Sequence, residues 1–118
     1  MRWLIRRVLK RANGDVFEDD IHFGDTLGIG RGTDQAVYIT DLRAALAHAR
    51  VTAVGGGRYR IESLIAAGVR INGVSQQSAT VKSGAVIDIG STRIRLVDPP
   101  ADYDAAVEIN TIDEAEAE

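Results

Sequence analysis

Short apolar runs of the length expected of β-strands recur along the first 97 residues, and turn sequences separate them. Valine and isoleucine are common in these runs, which favours strands. Within Arg58–Ile61 and Arg93–Leu96, charged and apolar residues alternate, so that one side faces a core and the other faces water. The predicted strands are Trp3–Leu9, Thr26–Gly30, Ala36–Thr40, Ala49–Val54, Arg58–Ile61, Val69–Ile71, Ala79–Val81, Ala85–Ile89 and Thr92–Val97.

Turn sequences connect the predicted strands. Gly55–Gly57 and Gly90-Ser91 predict hairpins between neighbouring strands, and Asn72-Gly73 predicts another tight reversal. Pro99-Pro100 ends the strand pattern, because proline cannot donate a hydrogen bond to a strand ladder. Many short strands with regular turns predict an all-β sandwich.

Two segments are also compatible with a helix. Asp41–Ala49 is rich in alanine and begins with a possible N-cap residue, so we expect one or two helical turns there, in a loop between strands. The run Trp3–Leu9 also fits a helical stripe, but its interpretation as a strand is preferred.

Length and composition indicate one small domain with an aliphatic core. The chain has 118 residues, 45% hydrophobic and 5% aromatic content, and no cysteine. The lack of cysteine excludes disulfides and thiolate chemistry and fits a reducing compartment, so we expect a cytoplasmic location. From the composition we also expect a part of a larger bacterial protein. Arg6 and Arg7 interrupt the N-terminal apolar run, which is therefore neither a signal peptide nor a membrane helix.

The charges are divided unevenly along the chain. All 14 lysines and arginines precede Asp98, whereas the segment from Asp98 to Glu118 contains eight acids and no base. A segment of like charge with little apolar content repels itself and stays extended. We therefore expect a domain at residues 1–98, followed at residues 99–118 by an acidic flexible tail or linker within a larger protein.

The order of several short motifs resembles the forkhead-associated (FHA) domain family, whose members read phosphothreonine peptides. The motifs are Gly30-Arg31, His48-Ala49, Asn72-Gly73 and the stretch Val81–Gly90. The resemblance covers roughly Arg2 to Val97. It implies an FHA-like β-sandwich of two twisted, mostly antiparallel sheets with about ten or eleven strands.

The resemblance also implies a phosphate site in the loops at one end of the sandwich. A phosphate at pH 7 carries close to two negative charges, and an arginine binds it through charge-assisted hydrogen bonds. Arg31 matches the family's phosphate-contacting arginine, His48 matches a histidine that braces the loops, and Asn72 matches the later Asn-Gly turn.

Other residues of the family's phosphate site are replaced in this chain. Ala45 and Leu46 stand where the family has serine and arginine, and Ala66-Ala67 stand where it has a Ser-Thr pair, in a loop one residue short and without its asparagine. Each hydrogen bond to a charged group contributes about 1.5–3 kcal/mol. Losing three such groups would reduce a micromolar contact of about −8 kcal/mol to little or nothing, although Arg43 lies nearby in sequence and offers partial compensation.

The candidate site thus comprises seven residues: Arg31, Arg43, Ala45, His48, Ala66, Ala67 and Asn72. Structural alternatives stand beside the binding role. Arg31 could instead pair with Asp34 or Asp41, and His48 is expected to be buried and hydrogen-bonded. Two histidines in the whole chain make a poor zinc site, because zinc usually takes four ligands.

Other charged or glycine-rich segments have simple structural explanations. Gly28–Gly32 lacks a following helix and is interpreted as a turn rather than a nucleotide loop. Glu18–Asp20 lacks the spacing of a calcium loop and is expected to be a solvated loop. The basic residues between Arg2 and Arg11 are interpreted as a solvated edge strand rather than a nucleic-acid or membrane surface.

We expect a non-catalytic protein–protein interaction module with a regulatory or scaffolding role in signalling, which does not bind phosphothreonine in the usual way. One alternative is a working phosphothreonine reader that uses Arg31, and another is a structural or oligomerisation domain. The expected partner is a protein or peptide, phosphorylated or not. No nucleic acid, membrane insertion, cofactor, metal or catalytic residue is expected.

Overall fold

A computed structural model describes residues 1–111 of the chain, which form twelve strands and no helix in that range. Among these residues there is accordingly no helix long and apolar enough to cross a membrane. The strands are β1 (Arg2–Leu9), β2 (Val16–Phe23), β3 (Thr26–Gly30), β4 (Val37–Tyr38), β5 (Ala49–Gly55), β6 (Arg58–Ser63), β7 (Val69–Ile71), β8 (Val74–Gln76), β9 (Ser78–Lys82), β10 (Val86–Ile89), β11 (Thr92–Val97) and β12 (Ala105–Thr111).

The strands form two sheets. The seven-stranded sheet has the order β2-β1-β12-β11-β10-β7-β8, and the five-stranded sheet has the order β4-β3-β5-β6-β9. Neighbouring strands are antiparallel except in the pairs β1–β12 and β3–β4, which are parallel. The predicted all-β sandwich of two mostly antiparallel sheets is confirmed, with one strand more than the expected maximum of eleven.

The core between the sheets is mainly aliphatic and contains two aromatic residues among the described ones, Trp3 and Tyr59. Trp3 is fully buried, its ring centroid lies 6.0 Å from that of Tyr59 across the two sheets, and its indole N–H donates to the carbonyl of Gly24. In β11, and in β12 from Val107 onward, buried residues alternate with more exposed ones, as a half-solvated sheet requires. The fully buried side chains besides Trp3 include Leu27, Ile29, Ile61, Ile71, Ile87, Ile94 and Leu96.

The expected domain boundary at residue 98 and the flexible tail from residue 99 are wrong as far as Thr111. β12 lies inside the seven-stranded sheet between β1 and β11 and buries Ala105, Val107 and Ile109. Its alternating apolar side chains meet the core, and that burial outweighs the repulsion between its acidic neighbours. Residues 112–118, which complete the predicted tail, lie outside the described residues.

The expected helical turns within Asp41–Ala49 are also wrong, because the loop uses its backbone elsewhere. The carbonyls of Ala45 and Leu46 accept hydrogen bonds from the backbone N–H groups of Arg31 and Gly32, at 2.8 and 2.9 Å. Carbonyls that point toward a neighbouring loop are not aligned along a helix axis, where they would accept from residues four positions further along. Tertiary hydrogen bonds therefore override the helix propensity of the alanines.

The acidic segment Glu18–Asp20 lies in a strand rather than in the expected solvated loop. β2 pairs with the whole of β1 in an antiparallel ladder, and Asp19 lies opposite Arg6. The charge of the segment is thus carried on an exposed edge strand, where charge is tolerated. The predicted strands Thr26–Gly30, Val69–Ile71 and Thr92–Val97 agree with β3, β7 and β11 residue for residue.

Candidate binding site at one end of the sandwich

Three loops and one turn meet at the end of the sandwich where β3 stops. They are the β3–β4 loop (residues 31–36), the β4–β5 loop (39–48), the β6–β7 loop (64–68) and the β10–β11 turn (90–91). Backbone bonds join them: Arg31 N–H donates to the carbonyl of Ala45, and Leu64 N–H donates to the carbonyl of His48. The loops therefore form one connected surface, which we call the loop end.

Arg31 is half-buried at the centre of this surface. Its Nε donates to the carbonyl of Ala44 at 3.1 Å, and it forms no ion pair with any residue in the range 1–111. The alternative pairing with Asp34 or Asp41 is therefore not seen. Gly30 precedes it, and a Cβ there would collide with the carbonyl of Leu46, so only glycine lets the two loops approach this closely.

His48 braces the β4–β5 loop from inside. It is buried, with 6% of its surface exposed, and its Nδ1 accepts a hydrogen bond from the backbone N–H of Ala45 at 3.0 Å. The acceptor role requires an unprotonated Nδ1. Burial lowers the pKa of His48, which favours the neutral ring needed for this bond. The expectation of a buried, hydrogen-bonded histidine agrees with this arrangement.

Asp41 joins the loop to the β10–β11 turn. Its Oδ1 accepts from the backbone N–H and Nε of Arg43, and its Oδ2 accepts from Arg43 Nη2 at 2.7 Å and from the N–H and hydroxyl of Ser91 at 2.9 Å. Hydrogen bonds from Arg43, which have the largest effect, and from Ser91 hold the pKa of the Asp41 carboxyl far below its usual range. We call Asp41, Arg43 and Ser91 the loop clamp.

The loop clamp was missed in the sequence, where Asp41 was interpreted as a helix N-cap and Arg43 as a partial substitute for a phosphate ligand. Oδ1 accepts from the N–H two residues ahead, as in an Asx turn, which competes with helix formation. The spacing of Asp41 and Arg43, two positions apart, was the sequence signal from which their contact could have been predicted. The contact with Ser91, 50 residues away, had no local signal.

The surface of these loops is largely apolar. Leu42, Leu46 and Leu64 expose 85%, 61% and 43% of their surface, and Ala66 and Ala67 are also exposed. Exposed leucines in three places around one arginine are unlike a solvated loop and typical of an interaction surface.

The β6–β7 loop also uses its remaining polar groups internally. The Ser63 hydroxyl donates to the carbonyl of Ile65 and accepts from the N–H of Ile65. The carbonyls of Ala66 and Ala67 accept from the side chains of Gln77 and Ser75. These bonds hold the loop against the domain, and its exposed side chains, Leu64, Ala66 and Ala67, are all apolar.

Asn72 does not belong with the other six candidate residues. It lies at the far end of β7, three strand residues or roughly 10 Å from the β6–β7 loop. Its Oδ1 accepts from the backbone N–H of Val86, and its positive φ of 50° suits the Asn-Gly turn. Asn72 therefore braces a turn. The other six candidate residues all lie on loops of the loop end: Arg31, Arg43, Ala45, His48, Ala66 and Ala67.

Metal chemistry has no support in the described residues, where no group of three or more His, Cys, Asp or Glu side chains could hold an ion. The geometry can instead provide one arginine, backbone groups and exposed alkyl side chains. This combination is suited to contact with another protein rather than to covalent chemistry.

Comparisons with known proteins agree with this architecture, a β-sandwich of two sheets. The FHA domain family model matches residues 27–90, more than half of the chain, and the chain belongs to the FHA domain family. FHA domains are non-catalytic modules of protein interaction. A comparison with curated protein sequences finds no match.

Solved structures share the fold at low sequence identity. The FHA domain of CT664 protein from Chlamydia trachomatis is 23% identical, with a TM-score of 0.63 over 80% of this chain and 96% of that chain. The FHA-2 domain of the Mycobacterium tuberculosis ABC transporter Rv1747 is 23% identical, with a TM-score of 0.57 over 76% of each chain. Mycobacterium tuberculosis EmbR, in complex with a low affinity phosphopeptide, is 19% identical, with a TM-score of 0.55 over 93% of this chain and 24% of that chain.

Proposed function

We propose that this domain binds a partner protein through an apolar contact at the loop end, without requiring phosphothreonine. The partner surface would cover Leu42, Leu46 and Leu64 and pack against the methyl groups of Ala66 and Ala67. The observation that carries the proposal is the exposure of these side chains, together with the bonding of the Ser63 hydroxyl and the Ala66 and Ala67 carbonyls within the domain.

The physical reason lies in the loss of anion ligands around Arg31. A phosphate accepts several strong hydrogen bonds, and one guanidinium supplies only part of them. Ala45, Ala66 and Ala67 offer no hydroxyl, and Nε of Arg31 already donates to Ala44. Burial of the exposed leucines would contribute binding free energy instead, at roughly 25 cal/mol per Å² of apolar surface.

A second candidate function is phosphothreonine reading through Arg31. It is favoured by one observation: the two terminal nitrogens of Arg31 have no hydrogen-bond partner within residues 1–111. The EmbR complex is an example of a structurally similar protein with a bound phosphopeptide.

An experiment that captures partner proteins from a cell extract distinguishes the two functions. The extract is divided in half, and one half is treated with phosphatase before capture. We expect the wild-type domain to retain the same partner from both halves. The Leu42→Ser, Leu46→Ser, Leu64→Ser variant should lose it, because each serine removes exposed apolar surface.

An Arg31→Ala variant and a Val74→Ser variant serve as controls. Val74 is an exposed apolar residue of β8, away from the loop end, and its replacement should leave capture unchanged. Loss of the partner after phosphatase treatment, together with loss in Arg31→Ala, would favour the second function.

A further inference from the structure

The outer edge of β2 is unpaired in the described part of the chain. β2 is the terminal strand of the seven-stranded sheet, and seven of its eight residues are exposed. Its exposed large apolar side chains are Val16, Phe17, Ile21 and Phe23, the last with 70% of its surface exposed. A long, exposed strand edge is a template on which another strand can pair.

Two backbone bonds determine which β2 groups face this edge. Gly24 N–H donates to the carbonyl of Met1, and Asp104 N–H donates to the carbonyl of Arg2. Odd-numbered residues of β1 thus direct their hydrogen bonds to β2, and even-numbered ones direct them to β12, as an alternating ladder requires. The β2 residues opposite the even-numbered positions therefore direct N–H and C=O to the open edge: Phe17, Asp19, Ile21 and Phe23.

The centre of this edge is acidic. Asp19 pairs with Arg6 at 2.8 Å, whereas Glu18 and Asp20 form no ion pair within residues 1–111. Arg7 lies opposite Glu18 in the ladder, but its Nη2 donates to the carbonyl of Tyr38. Two carboxylates without ion pairs therefore stand on the edge strand between apolar residues.

This charge pattern discriminates between possible occupants. If a second copy paired antiparallel about Asp19, as the outward-facing backbone groups allow, Asp19 would face Asp19 and Glu18 would face Asp20 of the other copy. Like charges directly opposite each other destabilise a strand pair. A partner strand with lysine or arginine at these positions gains favourable cross-strand pairs instead, so the pattern disfavours self-association at the central register.

We propose that the open edge of β2 accepts an extended segment of a partner protein as an added strand. The segment has lysine or arginine opposite Glu18–Asp20 and apolar, β-forming residues opposite Phe17 and Ile21. Backbone hydrogen bonds supply the pairing, and the charges select the sequence. The site shares no residue with the loop end, so this inference and the proposed function can fail independently.

The first test uses a synthetic probe, a fluorescein-labelled eight-residue peptide with Lys-Arg-Lys at its centre and valine and threonine on both sides. Anisotropy titration of the full chain should give saturable binding. Two matched peptides should not bind: one with glutamate in place of each basic residue, and one N-methylated at alternate backbone nitrogens. N-methylation keeps the charge but removes the donors that strand pairing needs.

The second test uses protein variants that retain wild-type thermal unfolding. Ile21→Pro removes an N–H that faces the open edge and leaves the β1–β2 bonds in place, so it should abolish binding while Ile21→Val should not. Glu18→Lys with Asp20→Lys should weaken binding of the basic peptide about tenfold and allow binding of the glutamate peptide.

Several results would overturn the proposal. They are equal binding of the N-methylated peptide, no binding of the basic peptide to the folded wild type, and unchanged binding in the double lysine variant. Self-association of the wild type that Ile21→Pro abolishes would assign the edge to a second copy instead.

Discussion

At the residue scale, two side chains that accept hydrogen bonds stabilise the β4–β5 loop, the longest loop of the loop end. Asp41 accepts five hydrogen bonds from Arg43 and Ser91, and His48 accepts one from the backbone of Ala45. Neither side chain is among those most exposed, so both act on binding through the shape of the loop. Their protonation states make this stabilisation dependent on pH.

Replacing Asp41 with asparagine should lower the free energy of unfolding at neutral pH by about 1–3 kcal/mol, because charge-assisted hydrogen bonds are lost. Arg43 and Ser91 lower the pKa of Asp41 in the folded state. Its contribution is therefore present above the unfolded pKa of about 3.9 and is lost as the pH falls toward the folded pKa. Urea unfolding at about pH 7 and about pH 3 should show the gap between variant and wild type narrowing at acid pH.

Asp102→Asn is the matched control for this measurement. Asp102 is exposed and outside the loop clamp, and its replacement should change stability little at either pH. An Asp41→Asn variant as stable as wild type at neutral pH would show that the clamp does not hold the loop.

Protonation of His48 should destabilise the fold. Burial lowers its pKa, so the unfolded chain takes up the proton first, and stability falls as the pH drops below the unfolded value of about 6.5. His48→Asn keeps an acceptor for the Ala45 N–H and should remove this loss. The free energy of unfolding in urea, measured between about pH 8 and about pH 5.5, tests this pH dependence. The His22→Asn variant is the control for the other histidine. A wild type whose stability stays constant over that range would contradict the assignment.

At the scale of elements, β12 lies between the first strand, β1, and the strand that precedes it in sequence, β11. It pairs in parallel with β1 and antiparallel with β11, so it links β1 and β2 to the other strands of the seven-stranded sheet. Asp104 adds a bond at the start of this pairing, where its carboxylate accepts from the N–H of Arg2 at 2.7 Å. Loss of β12 would expose the buried faces of both neighbouring strands.

Truncation tests this role directly. A chain that ends at residue 100 should not fold, because β1 and β11 lose their common neighbour and Val107 and Ile109 leave the core. A chain that ends at residue 111 should keep its fold and is the matched control. Circular dichroism and the dispersion of amide resonances distinguish the outcomes. A folded, cooperative chain without β12 would contradict this account.

The elements also show which sequence signals are reliable. β3, β7 and β11 were predicted to the residue because apolar residues recur at every second position between clear turns. β12 carries the same alternation at Ala105, Val107 and Ile109, but its acidic neighbours and Pro99-Pro100 were given more weight. The 41–48 loop has strong helix propensity, and only contacts with Arg31, Gly32 and Ser91, distant in sequence, explain its shape.

At the scale of the whole molecule, the sandwich has two separate surfaces, the loop end and the β2 edge. The order of short motifs was enough to predict the fold and to place Arg31, Ala45 and the Ala66-Ala67 pair on one surface. It misplaced Asn72, because an Asn-Gly pair indicates a turn without indicating at which end of the sandwich that turn lies.

The central claim is that the loop end does not depend on phosphate. Calorimetric titration with a peptide pool degenerate around a phosphothreonine, and with the matched threonine pool, tests it most directly; EmbR with its phosphopeptide is the positive control. We predict no difference between the two pools. Micromolar binding that requires the phosphate and disappears in Arg31→Ala would contradict the account.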